Sequence, residues 1–375
     1  FSFIQIQGFG IVLSSITGIS YNICCVAFMI ILIFTCMGGF ESVARTDTAN
    51  AILILIGVIA GAVTVMHLTG GIGNIVENFV TTAPAIEGQP ALEAGVLGSS
   101  WGVFGVSAII STFLSNAFGS IVAPHWVARF MAPKNAKTAA LQMFCVLLLL
   151  IPVFGCLIII GMGGKMILPT LPVGVTTDYM FPQLIMNYLN PVLGALALTA
   201  ICAAAVSTAN SMLLHCSTSL VYDIKRVLQD KKASAENDDK TTKELRMWVL
   251  LLGVLAVLGA IAQFSLLAQG FTYVYGAFGS MFFAPILFGL FVKRMNQPAA
   301  WTSMIVGLIA YLYCTICGAP LGLPTFIVSA GLSVISAIIV MNVTKKPPVE
   351  TYEAFFFDEV SEETLRTIHK IRKDI

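Results

Sequence analysis

Charge is what this chain has least of. Of 375 residues, 10% are Asp, Glu, Lys or Arg, with 20 basic against 19 acidic side chains and a net charge of +1. Soluble domains carry about 25% charged residues. That shortage excludes a soluble enzyme, and the even balance offers no basic face to nucleic acid. The strict apolar–polar alternation of a membrane β-barrel is also missing. No metal-ligand cluster, nucleophile–base pair or phosphate-binding loop occurs. The run GGIGN (70–74) is a loop turn and not a dinucleotide site, because no strand precedes it. Nothing here reads as an enzyme. The nine cysteines are scattered. Cys314 and Cys317 have a CxxC spacing, but on an apolar helix with no second pair and no nearby His. They read as small hydrophobes rather than as a zinc or redox site.

What is present is apolar sequence, 57% of the residues, with a mean hydropathy of +0.90. The fold class that follows is an all-α polytopic membrane protein embedded in a lipid bilayer. Phe3–Thr17 is apolar but short for a span, and it lacks the basic start and cleavage site of a signal peptide. It reads as the end of a transmembrane helix cut short ahead of Phe1. Nine spans follow, at 19–40, 47–68, 102–124, 139–162, 191–222, 247–268, 272–292, 300–317 and 322–342.

The loops alternate in basic content. Arg45, the group Arg129, Lys134 and Lys137, the run Lys225–Arg246, the pair Lys293–Arg294 and the pair Lys345–Lys346 mark one side. The loop 69–100 has only Glu77, Glu87 and Glu93, and the loop after 162 has only Lys165. Basic loops stay cytoplasmic. This places the C-terminus inside a cell's inner or plasma membrane. The expected layout is a transmembrane domain over 1–345, a cytoplasmic linker near 223–246 and a cytoplasmic tail over 346–375. In the tail, SEETLRTIHKIRK reads as a short helix capped by Ser361.

Polar groups at membrane depth are few. Ala204, Ser207, Thr208, Ser211, His215, Thr218 and Tyr222 recur at helical spacing and share one face. Hydroxyls there need partners that lipid does not supply. Such a stripe of oxygens can hold a small hard cation, or simply pack against a neighbouring helix. The span 102–124 carries Ser111, Ser115, Asn116, Gly119, Ser120 and Pro124. An interrupted helix of this kind is where transporters bind substrate, or it is a kinked packing helix. Asp47 in RTDT (45–48) opens the span 47–68, either as a helix cap or as an ion ligand. His67 and Glu77 read as solvated interfacial residues. His125 has no carboxylate near it in sequence and no catalytic role. Tyr273, Tyr275, Phe278, Ser280 and Pro285 form either an interfacial belt or a lid over a cavity.

Three ordered blocks resemble the sodium/solute symporter family. They are Met37-Gly-Gly-Phe40 with Thr46-Asp-Thr48, then Pro124-His-Trp-Val-Ala-Arg-Phe130, then Ala203-Ala-Ala-Val-Ser-Thr-Ala-Asn-Ser-Met-Leu-Leu214 with Tyr222-Asp-Ile-Lys225. Within the family, sodium/pantothenate and related carboxylate symporters look most similar, through VMH…GG…N (65–74), Asn210 and MIVG (304–307). The resemblance implies a leucine-transporter-type fold of two inverted five-helix repeats, here lacking the first two core helices. It further implies that this stretch alone does not transport. It implies a sodium ion held by the Ala204 carbonyl and the Ser207 and Thr208 hydroxyls, and a possible second sodium at Asp47, Ser207, Asn210 and Ser211. Asn210 stands where the family has Ser. Implied solute contacts are Asn116, Ser120 and Pro124, with Tyr273 and Tyr275. The implied activity is sodium-coupled import of a small organic solute, with pantothenate the first candidate. Proline, a sugar, a sialic acid or a monocarboxylate on the same fold is the alternative. A membrane sensor and a channel are remoter: the tail after Lys346 holds no kinase-sized domain, and no pore loop or filter motif occurs.

Overall fold

A computed structural model describes residues 1–36, 39–82, 95–99, 102, 105–169, 176–225, 228, 238–263, 267–353 and 356; for 33–36, 39–44, 238–240 and 321 it describes the backbone alone. The described residues form helices and no strand: α1 (Ser2–Thr17), α2 (Tyr21–Cys36), α3 (Gly39–Thr69), α4 (Ile72–Thr81), α5 (Gly105–Val122), α6 (Pro124–Met131), α7 (Ala136–Ile167), α8 (Met180–Tyr188), α9 (Pro191–Thr218), α10 (Asp238–Ile261), α11 (Leu267–Phe291), α12 (Gln297–Cys317), α13 (Thr325–Val343) and α14 (Val349–Tyr352). A π-helical turn, Ser219–Lys225, carries α9 on to Lys225.

Eight of these helices are long and apolar enough to cross a membrane: α3, α5, α7, α9, α10, α11, α12 and α13. They match the sequence spans from 47–68 to 322–342. The span expected at 19–40 differs. Its helix α2 passes the same test only together with α1, from which it is bent by 119°. The turn between them begins at Gly18, whose φ of 69° suits glycine and whose N–H reaches the Ser14 carbonyl.

Helix ends are where the sequence reading departs most from the structure. Arg45 and Asp47 are not at a helix start, because α3 begins at Gly39. Asp47 therefore caps nothing. Likewise the linker expected over 223–246 is helical at both ends, through Lys225 and from Asp238. The reason is common to both: apolar content ends at the membrane surface, but backbone hydrogen bonding continues into water. Lys225 and Glu244 pair at 2.6 Å across this connection. The loops at 69–100 and 163–190 contain the short helices α4 and α8, too brief to read as spans. In the run GGIGN, Gly70 and Gly71 do turn, at positive φ, and Ile72 already starts α4. The span expected at 102–124 breaks once, at Ala123, before Pro124 starts α6. Gly119 lies inside α5. Glu87, Glu93, Met37, Gly38 and the tail helix at 361–373 lie outside the described residues.

Two compact units result, Phe1–Val103 with Ala128–Phe271, and Phe104–Val127 with Thr272–Ile375. In the first, Ile6, Phe9, Phe28, Leu32, Ala209 and Leu213 form a dry core shared by α1, α2, α9 and α10. A second cluster joins α3, α4, α7 and α8 through Val65, Ile75, Ile160 and Leu184. Gly57 lets α3 lie against α9, since a Cβ there would overlap that of Ala200. Helix α7 is exposed along most of its length, with Leu147, Leu148, Ile151 and Phe154 outward. Its apolar exterior suits lipid, where every backbone group must be paired within the helix. Asn135 caps its start by accepting the Thr138 N–H, and Asn190 does the same for α9 through the Val192 N–H.

The second unit is held by small residues, which is how helices approach closely when lipid removes the hydrophobic drive. Gly307 of α12 lies directly on the Ser280 carbonyl of α11. Ser280 and Ser329 share a hydrogen bond of 2.6 Å, and the Ser333 hydroxyl donates to the Ser303 carbonyl at 2.9 Å. Arg294 donates to the Met341 and Asn342 carbonyls and closes the C-terminal end of α13.

Candidate functional site

The polar stripe of α9 is real and divided. Thr199, Ser211, Ser217 and Thr218 each donate their hydroxyl to a carbonyl one turn back on the same helix. Among the described residues, the Ser207 and Thr208 hydroxyls make no hydrogen bond. Both are half-buried. In an otherwise apolar helix, two adjacent hydroxyls with unused lone pairs form a small patch of hard oxygen donors. Ala204, one turn earlier, flanks them.

One turn later, Ser211 is engaged in a different way. Arg129 donates to the Ser211 hydroxyl at 2.8 Å and to Asp47 Oδ2 at 2.7 Å. The Ser211 hydroxyl donates onward to the Ser207 carbonyl at 3.0 Å. Three helices meet here: α6 supplies the guanidinium, α3 the carboxylate and α9 the hydroxyl. Among the described residues, Asp47 Oδ1 is buried and accepts no hydrogen bond. His215 stands one further turn along, within reach of the Arg129 charge. Asn210, the residue before Ser211 in α9, is fully buried. Of the residues expected together, Asp47 and Ser211 are brought to one point. Arg129 was not on that list. A carboxylate among apolar helices needs a cationic partner, but spacing along the sequence does not say which basic residue supplies it.

The second unit gathers another set. Tyr275 lies within hydrogen-bonding reach of Trp126 and Ser120. His125 is buried, its ring 5.6 Å from that of Trp126 and 6.5 Å from that of Tyr275. Gly119 makes this possible: a Cβ there would overlap the Tyr275 carbonyl, so α5 and α11 touch backbone to backbone. Pro124 starts α6, where its missing N–H costs no helix bond, and so places His125 and Trp126. Asn116 uses its amide on the Thr112 carbonyl, and the Ser120 hydroxyl bonds the Asn116 carbonyl at 2.5 Å. Tyr273 is elsewhere. Two residues from Tyr275, about 200° around the helix, it is 48% exposed. Ser120, Pro124 and Tyr275 are thus assembled with His125 and Trp126, neither of which was among the implied solute contacts. His67 and Glu77 are exposed, as expected.

A cavity of about 310 Å³ lies among α1, α3, α7, α8 and α9, lined by Ile11, Ile54, Val58, Phe181 and Ile201 among others. Its one acidic side chain is Asp178, whose Oδ2 accepts the Leu267 N–H at 3.2 Å. Burial pushes the Asp178 carboxyl above the usual carboxylate range, and this hydrogen bond partly offsets the rise.

The sequence profile described as the sodium:solute symporter family matches residues 3–307. The chain belongs to this family. It is 25% identical to a sodium/pantothenate symporter of Haemophilus influenzae over 313 residues, 83% of this chain and 62% of that protein. It is 27% identical to an osmoregulated proline transporter of Bacillus subtilis over 330 residues, 87% of this chain and 64% of that one. The chain therefore spans less than two thirds of the length of these relatives. A solved structure of a Na+-coupled sialic acid symporter, substrate-bound and outward-open with a Na+ site described as novel, aligns with a TM-score of 0.72. That alignment has 22% identity and covers 92% of this chain and 72% of the other. The all-helical fold is shared with that symporter.

Proposed function

We propose that this chain is the larger part of the transport domain of a sodium-coupled symporter that imports a small organic carboxylate. The observation that carries this reading is the pair of unspent hydroxyls at Ser207 and Thr208. On a helix whose other hydroxyls are back-bonded, these two with the Ala204 carbonyl suit a hard cation. Family membership supplies the cation's identity, sodium.

The solute class rests on chemistry common to relatives. Pantothenate, proline and sialic acid, named for the similar proteins, each carry a carboxylate. Tyr275 and Trp126 supply a phenol hydroxyl and an indole N–H suited to a carboxylate, and Ser120, whose own proton goes to the Asn116 carbonyl, lies with Asn116 and Pro124 on the neighbouring helical stretch. Pantothenate is the first candidate, and proline is the second on the strength of the proline-transporting relatives. Tyr273, on the far face of α11, takes the role of a surface aromatic in this reading.

Coupling follows from differential affinity. Sodium at α9 favours the conformation that also binds solute, so each ligand raises the other's affinity by the same factor. Inverted-repeat symporters of this type then expose the loaded site to the opposite side. Uptake of labelled pantothenate by the protein as its gene encodes it, in proteoliposomes with and without an inward sodium gradient, tests the reading. Sodium-driven accumulation supports both coupling and substrate. Uptake that a panel of proline, sialic acid, sugars and monocarboxylates suppresses, but pantothenate does not, moves the substrate and keeps the coupling. Saturable uptake indifferent to sodium sinks the coupling.

A further inference from the structure

We propose that Arg129 is the protein's own second cation. Its guanidinium fills the position between Asp47 and Ser211 that a second sodium ion would need, so only one sodium ion binds per chain while Arg129 is in place. This rests on the sodium reading of α9 given above and extends it to stoichiometry.

One guanidinium nitrogen lies 2.7 Å from Asp47 Oδ2 and 2.8 Å from Ser211 Oγ. That nitrogen occupies a point bridging those two oxygens, so a guanidinium and a metal ion cannot both hold this bridging position. Ser211 has one proton and two lone pairs. The proton is committed to the Ser207 carbonyl and one lone pair to Arg129. Charge gives the same answer. Asp47 and Arg129 neutralise each other as a half-buried pair, with side chains 20% and 30% exposed. A sodium ion added there would leave a net positive charge among apolar helices, beside an arginine that cannot shed its proton. The residues as arranged therefore do not fit a second metal ion, although Asp47 and Ser211 do converge.

The arrangement also ties the two positions together. Ser211 reaches Arg129 on one side and the Ser207 carbonyl on the other, and Ser207 carries one of the two free hydroxyls. Removing the guanidinium frees Asp47 Oδ2 and a Ser211 lone pair, and leaves Asp47 Oδ1 buried without a hydrogen bond. A carboxylate in that state attracts the nearest available cation. Arg129→Gln should therefore open the second position, and Arg129→Lys, which keeps the charge, should not.

Equilibrium binding of radioactive sodium to the purified protein, as its gene encodes it, decides this. Wild type should bind one sodium ion per chain at saturation. Arg129→Gln should bind a second, Arg129→Lys only one, and Asp47→Asn/Arg129→Gln should fall back to one. Gel filtration and thermal melting without sodium check that each variant is folded. Two ions bound by wild type overturn this inference and leave the sodium reading intact, as does a folded Arg129→Gln protein that gains none. No bound sodium in any variant overturns the sodium reading and this inference with it. Should Arg129→Gln fail to fold, the wild-type stoichiometry still decides, with the charge-free double variant as the folded reference.

Discussion

The Arg129 guanidinium donates to the Asp47 carboxylate at 2.7 Å across 82 residues of sequence, and the same nitrogen reaches Ser211. Breaking this three-way contact should be costly. Arg129→Gln or Asp47→Asn alone leaves a half-buried partner unmatched, and hydrogen bonds to charged groups are worth about 1.5–3 kcal/mol. Each single variant should therefore melt earlier in detergent, and the Asp47→Asn/Arg129→Gln double variant should recover part of the loss. Additive losses in the double variant would mean the two side chains do not act as a pair.

Gly119 sets the distance between α5 and α11. Gly119→Ala pushes a methyl group into the Tyr275 carbonyl, where backbone and not a flexible side chain must yield. Overpacking of this kind costs about 1–3 kcal/mol. It should also displace Tyr275 from Ser120 and Trp126, so solute affinity should fall while sodium affinity measured without solute stays near wild type. A variant with wild-type melting and transport would show that the helices do not touch there.

Asp178 gives a pH signature. Burial raises its carboxyl above the ordinary range, so the folded state binds this proton more tightly than the unfolded state does. Its contribution is most favourable below the usual carboxylate value and is lost as pH rises through the raised folded value. Asp178→Asn keeps an acceptor for the Leu267 N–H and removes the charge. Its melting temperature, compared with wild type, should gain as pH increases from about 4 towards neutrality. A difference independent of pH would contradict this.

Much of this architecture is legible in the sequence because lipid imposes one rule, that a span be long and apolar. The runs at 139–162, 191–222 and 322–342 satisfy it and are helices. The rule is silent beyond the membrane surface. Asp238–Arg246 is polar, so it reads as linker, yet it satisfies its backbone inside α10. For the same reason Asp47 resembles a cap and is an interior residue of α3. The stripe Ser207, Thr208 and Ser211 is readable from helical spacing. What spacing cannot show is which hydroxyls are already used. Ser211 bonds back to Ser207 and accepts from Arg129, whereas the Ser207 and Thr208 hydroxyls bond no described residue, and only the assembled bundle distinguishes them. Arg129 itself registers in sequence merely as a basic residue near a membrane surface. Its partner lies on another helix, and no local pattern points there.

The most direct test of the central claim is the sodium dependence of initial uptake rate in wild type, Ser207→Ala and Thr208→Ala proteoliposomes. Neither hydroxyl bonds a described residue, so both variants should melt within about 0.5 kcal/mol of wild type. Each should nevertheless need roughly tenfold more sodium for half-maximal uptake, equivalent to about 1.4 kcal/mol. A substitution in the connection between α9 and α10 should leave that curve unmoved. Equal sodium dependence in the wild type and both α9 variants would contradict the account.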